Sequence, residues 1–337
     1  MNRLTMMLIP VTMLTGLLSC GSDDNEETVK KENILNAAPF SGITDSIADS
    51  PDDPELLLRR ATLLSQNNLH PLATDDYKKA WELTQDENIA LIYASNLLLT
   101  DSVQKAEDLL KDCETKFPES TEFNRRLAEL YTERGEYNKA MEEYDRILAK
   151  DSGNFEAWFD KGNLLLKMKD TVNAVMAMEA SFSLLPANYS GIALANIYAA
   201  KKNPRVLEIC DILLARDSAS TQTDPHYMKG VYYSETKQYD KAISEFDKCI
   251  KLDWKLTDAY IEKGIILFER KKTEEAKKVF NLAITVSNTD PDAYYWLGRC
   301  FEAQGRTKEA IENYQRAVSL DDTFTEAKTA IKRLNGK

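Results

Sequence analysis

Few side chains in this 337-residue sequence are of a kind and spacing that could do chemistry. The only two histidines, His70 and His226, stand far apart. An imidazole metal site or a Ser-His-Asp system therefore lacks its groups. No Cys-x-x-Cys, His-Glu-x-x-His or glycine-rich phosphate loop occurs, and the glycines of 230–233 and 264–268 sit inside helical patterns. The pairs Glu142-Glu143 and Glu274-Glu275 fall on polar helix faces and read as solvated charge. No catalytic residue, metal, cofactor or small-molecule substrate is expected, so the chain reads as a non-enzyme. The formal charge of −12, from 43 basic and 55 acidic residues, repels a phosphate backbone and argues against nucleic acid. One thiol stands out. Cys20 closes an apolar stretch begun at Leu4, and Gly21-Ser22-Asp23-Asp24-Asn25-Glu26-Glu27 follows at once.

Arg3 and the apolar run Leu4–Leu14 read as a secretory signal over 1–19, too short to span a bilayer as a helix. Leu17-Leu18-Ser19-Cys20 resembles the lipobox of bacterial lipoproteins. The resemblance implies cleavage before Cys20 and acylation of its thiol and new amine. Each buried CH₂ is worth about 0.8 kcal/mol, so several chains make a lasting anchor. The Ser and carboxylate cluster after Cys20 resembles a surface-export signal of some Gram-negative lipoproteins. It implies an outer-membrane location, with the surface side favoured over the periplasmic one. Residues 20–39 are expected to form an acylated, acidic, flexible tether reaching roughly 25 Å.

The elements beyond it are announced by alanines. Ala106, Ala140, Ala174, Ala242, Ala276 and Ala310 fall on one ladder with a step of 34, and Ala73 misses it by one. In 291–324, Tyr294, Leu297, Gly298 and Phe301 share one helix face, Gly305 marks a turn, and Ala310, Tyr314 and Ala317 share a second helix. This resembles the tetratricopeptide repeat. Related patterns occupy 54–86, 87–120, 121–154, 155–188, 223–256 and 257–290. The unit 189–222 fits after a slip of one residue, with Val206 in the alanine place. The expected fold is all-α: a helix-turn-helix solenoid wound as a right-handed superhelix. About eight repeats cover 54–324, a half-repeat helix occupies 40–53 and a capping helix 325–337. Cys113, Cys210, Cys249 and Cys300 read as small buried hydrophobes, and whether Cys210 and Cys249 pair is left open.

The resemblance implies a groove lined by first helices. Its candidate residues are Phe159, Asn163, Asn196, Tyr227, Ile261, Tyr295 and Arg299, with Leu91, Arg125, Val231 and Ile265 on the same positions. In peptide-binding members an Asn at the place of Asn163 and Asn196 hydrogen-bonds a peptide backbone, which suits an amide's paired donor and acceptor. The Lys/Asn set that clamps a terminal carboxylate in chaperone-binding members is missing. The expected function is a membrane-anchored scaffold that binds a protein or peptide segment, in envelope assembly or surface interaction. The alternative is a structural lipoprotein that self-assembles through its end faces.

Overall fold

The computed structural model describes residues 30–336. The expected signal segment 1–19, Cys20 and the acidic run to Glu27 lie outside the described residues. The tether expected to reach residue 39 is in fact ordered over its last part. Residues 30–35 are helical, Lys31 forms an ion pair with Asp75, and Thr44 Oγ1 donates to the Leu35 carbonyl at 3.0 Å.

Among the described residues helix follows helix, without a strand. They are α1 (Ser41–Asp49), α2 (Pro54–Gln66), α3 (His70–Thr84), α4 (Glu87–Leu99), α5 (Val103–Lys116), α6 (Glu122–Glu133), α7 (Tyr137–Lys150), α8 (Phe155–Lys167) and α9 (Thr171–Leu184). Then come α10 (Asn188–Ala200), α11 (Arg205–Arg216), α12 (Asp224–Glu235), α13 (Tyr239–Leu252), α14 (Thr257–Glu269), α15 (Thr273–Val286), α16 (Pro291–Ala303), α17 (Thr307–Leu320) and α18 (Thr325–Asn335). Several starts are written locally. Asp53 and Asp290 each accept two backbone N–H bonds ahead of a first-turn proline, Asp86 accepts two without one, and Asn154 and Asp170 accept one each.

The chain divides into two compact units, after Leu130. In the first, Leu57, Ala61 and Leu64 of α2 are buried, as are Ala73, Tyr77 and Ala80 of α3. Between these helices Arg60 reaches both carboxylate oxygens of the buried Asp76, at 2.7 Å each. Trp81, Phe117 and Phe123 form an aromatic series, with ring centroids 6.4 and 5.6 Å apart.

In the second unit the alanine ladder is the seam of each hairpin. Ala140, Ala174, Ala242, Ala276 and Ala310 are fully buried. Four residues beyond such an alanine, a larger side chain lies over a first-helix glycine. A Cβ on Gly162 would come within 2.6 Å of Met178, one on Gly230 within 2.6 Å of Phe246, and one on Gly298 within 2.8 Å of Tyr314. The slipped hairpin exchanges both partners: Ala195 takes the glycine place and Cys210 the large one, and both are fully buried in one cluster. All four cysteines of the described residues are buried free thiols, so Cys210 and Cys249 do not pair. Burial pushes the Cys113 thiol up to about 11 and those of Cys210, Cys249 and Cys300 to about 12, which keeps them protonated and unreactive.

Each intra-hairpin turn uses one left-handed residue: Asn68, Asp101, Gly135, Lys169, Lys202, Lys237, Lys271 and Gly305, with φ between 51° and 73°. The next N–H bonds back five residues, as from Lys272 to Leu267 and from Arg306 to Phe301, which closes the first helix. Glycine fills the left-handed place twice. Elsewhere a Cβ-bearing residue carries a strain of about 1–2 kcal/mol. Lys271→Gly is therefore expected to stabilise by about 0.5–1 kcal/mol, after the extra flexibility of unfolded glycine is allowed for. Gly305→Ala should destabilise by about 1 kcal/mol. Urea titration of each variant against the parent checks the two signs.

Candidate peptide-binding face

The seven candidates lie on α8, α10, α12, α14 and α16, the first helices of five successive hairpins in the second unit. Second helices spend their apolar stripes on the seams, so these positions are where side chains are left over. Asn163 is half-buried and Asn196 exposed, and neither side chain has a hydrogen-bond partner among the described residues. Both amides keep their full donor and acceptor capacity. Phe159 meets Tyr189 of the next first helix edge-on, with centroids 4.6 Å apart, so this ring braces neighbouring hairpins. Tyr227 turns its ring against Phe246, at 5.7 Å. Burial, together with the carboxylates of Glu262 and Asp258, pushes its phenol well above the usual range.

Ile261 does not belong to the face. It is only 7% exposed and forms part of a core cluster with Leu267, Phe280 and Leu297. The reason is lateral packing. α14 is apolar on more than one side because it touches the first helices of adjacent hairpins as well as the second helix of its own. Val231 and Ile265 are half-buried against the same kind of contact. In the first unit Leu91 is half-buried, and Arg125 ion-pairs with Glu122 at 3.6 Å.

Tyr295 and Arg299 are brought together. Arg299 Nη1 donates to the Tyr295 hydroxyl at 3.3 Å. Its guanidinium carbon lies 5.1 Å from the Trp296 ring centre, 5.3 Å from that of Phe268 and 5.9 Å from that of Tyr295.

The reading of candidate residues missed a set of acids. Asp224, Asp258, Asp292 and Glu326 recur at a step of 34 in the first turns of α12, α14, α16 and α18, and Glu262 lies one turn beyond Asp258. A carboxylate in a first turn suits the helix dipole, which hides any second role. Here the mutual repulsion is felt. Burial, then Asp258, Glu235, Asp292 and Glu269, raises the Glu262 carboxyl above its ordinary range. Burial, then Asp290, Asp258, Asp321 and Glu326, raises that of Asp292. The signal that could have found them was their period. Among the described residues no group of three His, Cys, Asp or Glu side chains could hold a metal ion, and no helix is long and apolar enough to cross a membrane.

Tetratricopeptide-repeat models match 97–160, 223–253, 257–290 and 291–324. The chain carries tetratricopeptide repeats. Its fold is similar to that of the C-terminal part of a tetratricopeptide-repeat protein from Cytophaga hutchinsonii, at 18% identity and a TM-score of 0.55, over 71% of this chain and 98% of that one. A tetratricopeptide-repeat protein from Parabacteroides merdae matches at 15% identity and a TM-score of 0.39, over 84% of this chain and 98% of that one. A third, described as having an unusual peptide-binding site, matches at 18% identity and 0.38, over 66% of this chain and 97% of that one. No curated protein matches the sequence. Tetratricopeptide arrays generally serve as protein-interaction scaffolds, and the fold suits this chain to that class.

The raised carboxyls carry a sign. In the folded state Glu262 and Asp292 hold their protons to higher pH than in the unfolded chain. Their cost is absent below the ordinary carboxylate range, grows as pH rises through it, and is complete above the raised values. Glu262→Gln should accordingly raise the melting temperature at pH 7 and leave it nearly unchanged at pH 4. Melting curves of parent and variant at both pH values are the check.

Proposed function

We propose that this chain is a lipid-anchored tetratricopeptide scaffold of a bacterial outer membrane. In this reading it holds an extended protein segment against its first helices in the course of envelope assembly or surface interaction. The observation that carries the binding part is the pair of unpartnered amides, Asn163 and Asn196. A peptide backbone supplies the alternating N–H and C=O groups that such amides pair with. The carboxylates of Asp224, Asp258, Glu262 and Asp292 add a field that favours basic over acidic side chains along that part of the segment. The anchor is supported by the residue pattern around Cys20.

Two experiments test the two halves. The double variant Asn163→Ala, Asn196→Ala should bind a partner captured from envelope extract on the order of tenfold to a few hundredfold more weakly, since each lost hydrogen bond is worth roughly 0.5–1.5 kcal/mol. It should remain as helical as the parent, and the outer-face change Glu142→Ala should do little. Titration calorimetry reads the affinities. An equal loss from the outer-face change would remove the groove from consideration. For the anchor, Cys20→Ser should abolish metabolic labelling by a palmitate analogue, and a variant still labelled would end the lipoprotein reading.

A further inference from the structure

A cavity of about 600 Å³ opens beside the last repeat, lined by Phe268 of α14, by Tyr295, Arg299 and Glu302 of α16, and by Glu326, Thr329 and Arg333 of α18. Its volume is in the range of ligand pockets. Its two cations are not equivalent. Arg333 is spent on Glu302, with Nη1 at 2.6 Å from one carboxylate oxygen and Nη2 at 2.8 Å from the other. The same carboxylate also accepts from the Tyr314 hydroxyl at 2.7 Å. Burial works against this charge, but Arg333 and Tyr314 prevail and hold the Glu302 carboxyl below its usual range.

Arg299 is the opposite case. No carboxylate lies within ion-pair distance of it among the described residues, although the Glu302 carboxylate feels its charge, and its single hydrogen bond goes to the Tyr295 hydroxyl. The rings of Trp296 and Phe268 lie beside its guanidinium, and beyond the Nη1 bond to Tyr295 its N–H groups make no hydrogen bond among the described residues. A guanidinium beside aromatic rings, lining a cavity and without a direct ion pair among the described residues, is matched in charge by one carboxylate.

We propose that this cavity takes the Asp or Glu side chain of an extended protein segment. That the occupant is a protein segment rests on the proposed function. Phe268, Tyr295 and Arg299 belong to the same row of first helices as Asn163 and Asn196, so a segment lying along that row runs on into the cavity and offers it a side chain rather than its end. Glu326 on the cavity wall and Asp292 nearby exclude a run of acids, and one carboxylate is the limit. The chemistry inferred for the segment is thus polarised: basic or neutral residues over α12 and α14, and a single acid at the α16–α18 end.

The test uses the full-length protein in detergent micelles and three acetylated tetrapeptides: ALEA with an amidated end, its isostere ALQA with an amidated end, and ALAA with a free carboxyl end. The indole N–H resonance of Trp296 reports occupancy. ALEA should titrate it at least tenfold more tightly than ALQA. Arg299→Gln should erase that preference, and Arg299→Lys should weaken it, because an ammonium lacks the fork. Thr329→Trp, a change at an exposed cap-helix position, should block ALEA without loss of helicity. Equal binding of ALEA and ALQA, or binding of neither, overturns the site. Binding of ALAA alone overturns the side-chain source in favour of a chain terminus. The Asn163→Ala, Asn196→Ala variant should keep the parent's preference for ALEA. That preference, persisting beside an Asn pair found inert toward the captured partner, would sink the groove reading and leave the pocket standing.

Discussion

The distance between the two helices of a hairpin is the constraint on which the rest depends. It is set where a first-helix glycine faces a large second-helix side chain, Gly298 against Tyr314 and Gly230 against Phe246, at a separation that would put an added Cβ well inside contact. Interiors close-packed to this degree do not absorb even one methylene freely. The pairing must therefore be matched, and it is matched in more than one way. Where the glycine becomes Ala195, the ring becomes Cys210, and the pair stays fully buried. The slip in that hairpin is a consistent exchange of volumes rather than a defect.

With the seams fixed, each second helix has spent its apolar stripe and each first helix keeps one face in reserve. Two effects compete there. A carboxylate in the first turn gains roughly 0.3–1 kcal/mol from the helix dipole. Repeating the same residue every 34 positions also sets like charges near one another. For Glu262 and Asp292 burial and repulsion win, as their raised carboxyls show. A surface that only had to be soluble would disperse these acids, as the outer faces do with ion pairs such as Arg306 with Glu309.

The period, the alanine seam, Gly298 and Gly305 were all legible in the sequence, because each is a residue type that a single geometric need selects. The other turns were not. Asn68, Asp101, Lys169, Lys202, Lys237 and Lys271 occupy the same left-handed place as Gly305; Asn and Asp tolerate it, but for the four lysines the closing hydrogen bond of the turn imposes a conformation for which they have no preference. Ile261 was misread for a related reason. Helical periodicity separates the face toward the partner helix from the face away, but contact between adjacent first helices is lateral and leaves no separate period. Residues 30–39 read as tether by composition, yet Lys31 finds a partner distant in sequence in Asp75, and Leu35 a nearer one in Thr44. The Glu302–Arg333 pair was hidden similarly, being 31 residues apart and joining a repeat to its cap.

The cap helix α18 shows how ending an array and making a site can be one act. An end hairpin must cover its last seam, and Ala327, Ala330 and Leu334 do so. A cap that did only this would carry solvated groups elsewhere. Instead Arg333 reaches back to neutralise Glu302, one turn along α16 from Arg299. Were Glu302 left unpaired, it would be the natural counter-ion for Arg299, and the fork would be closed. With Glu302 bonded to Arg333, Arg299 is left among the described residues as the cavity-wall cation without a direct ion pair. The same ion pair thus docks the last helix and keeps the neighbouring arginine free, so a change at Arg333 bears on both the end of the fold and the chemistry beside it.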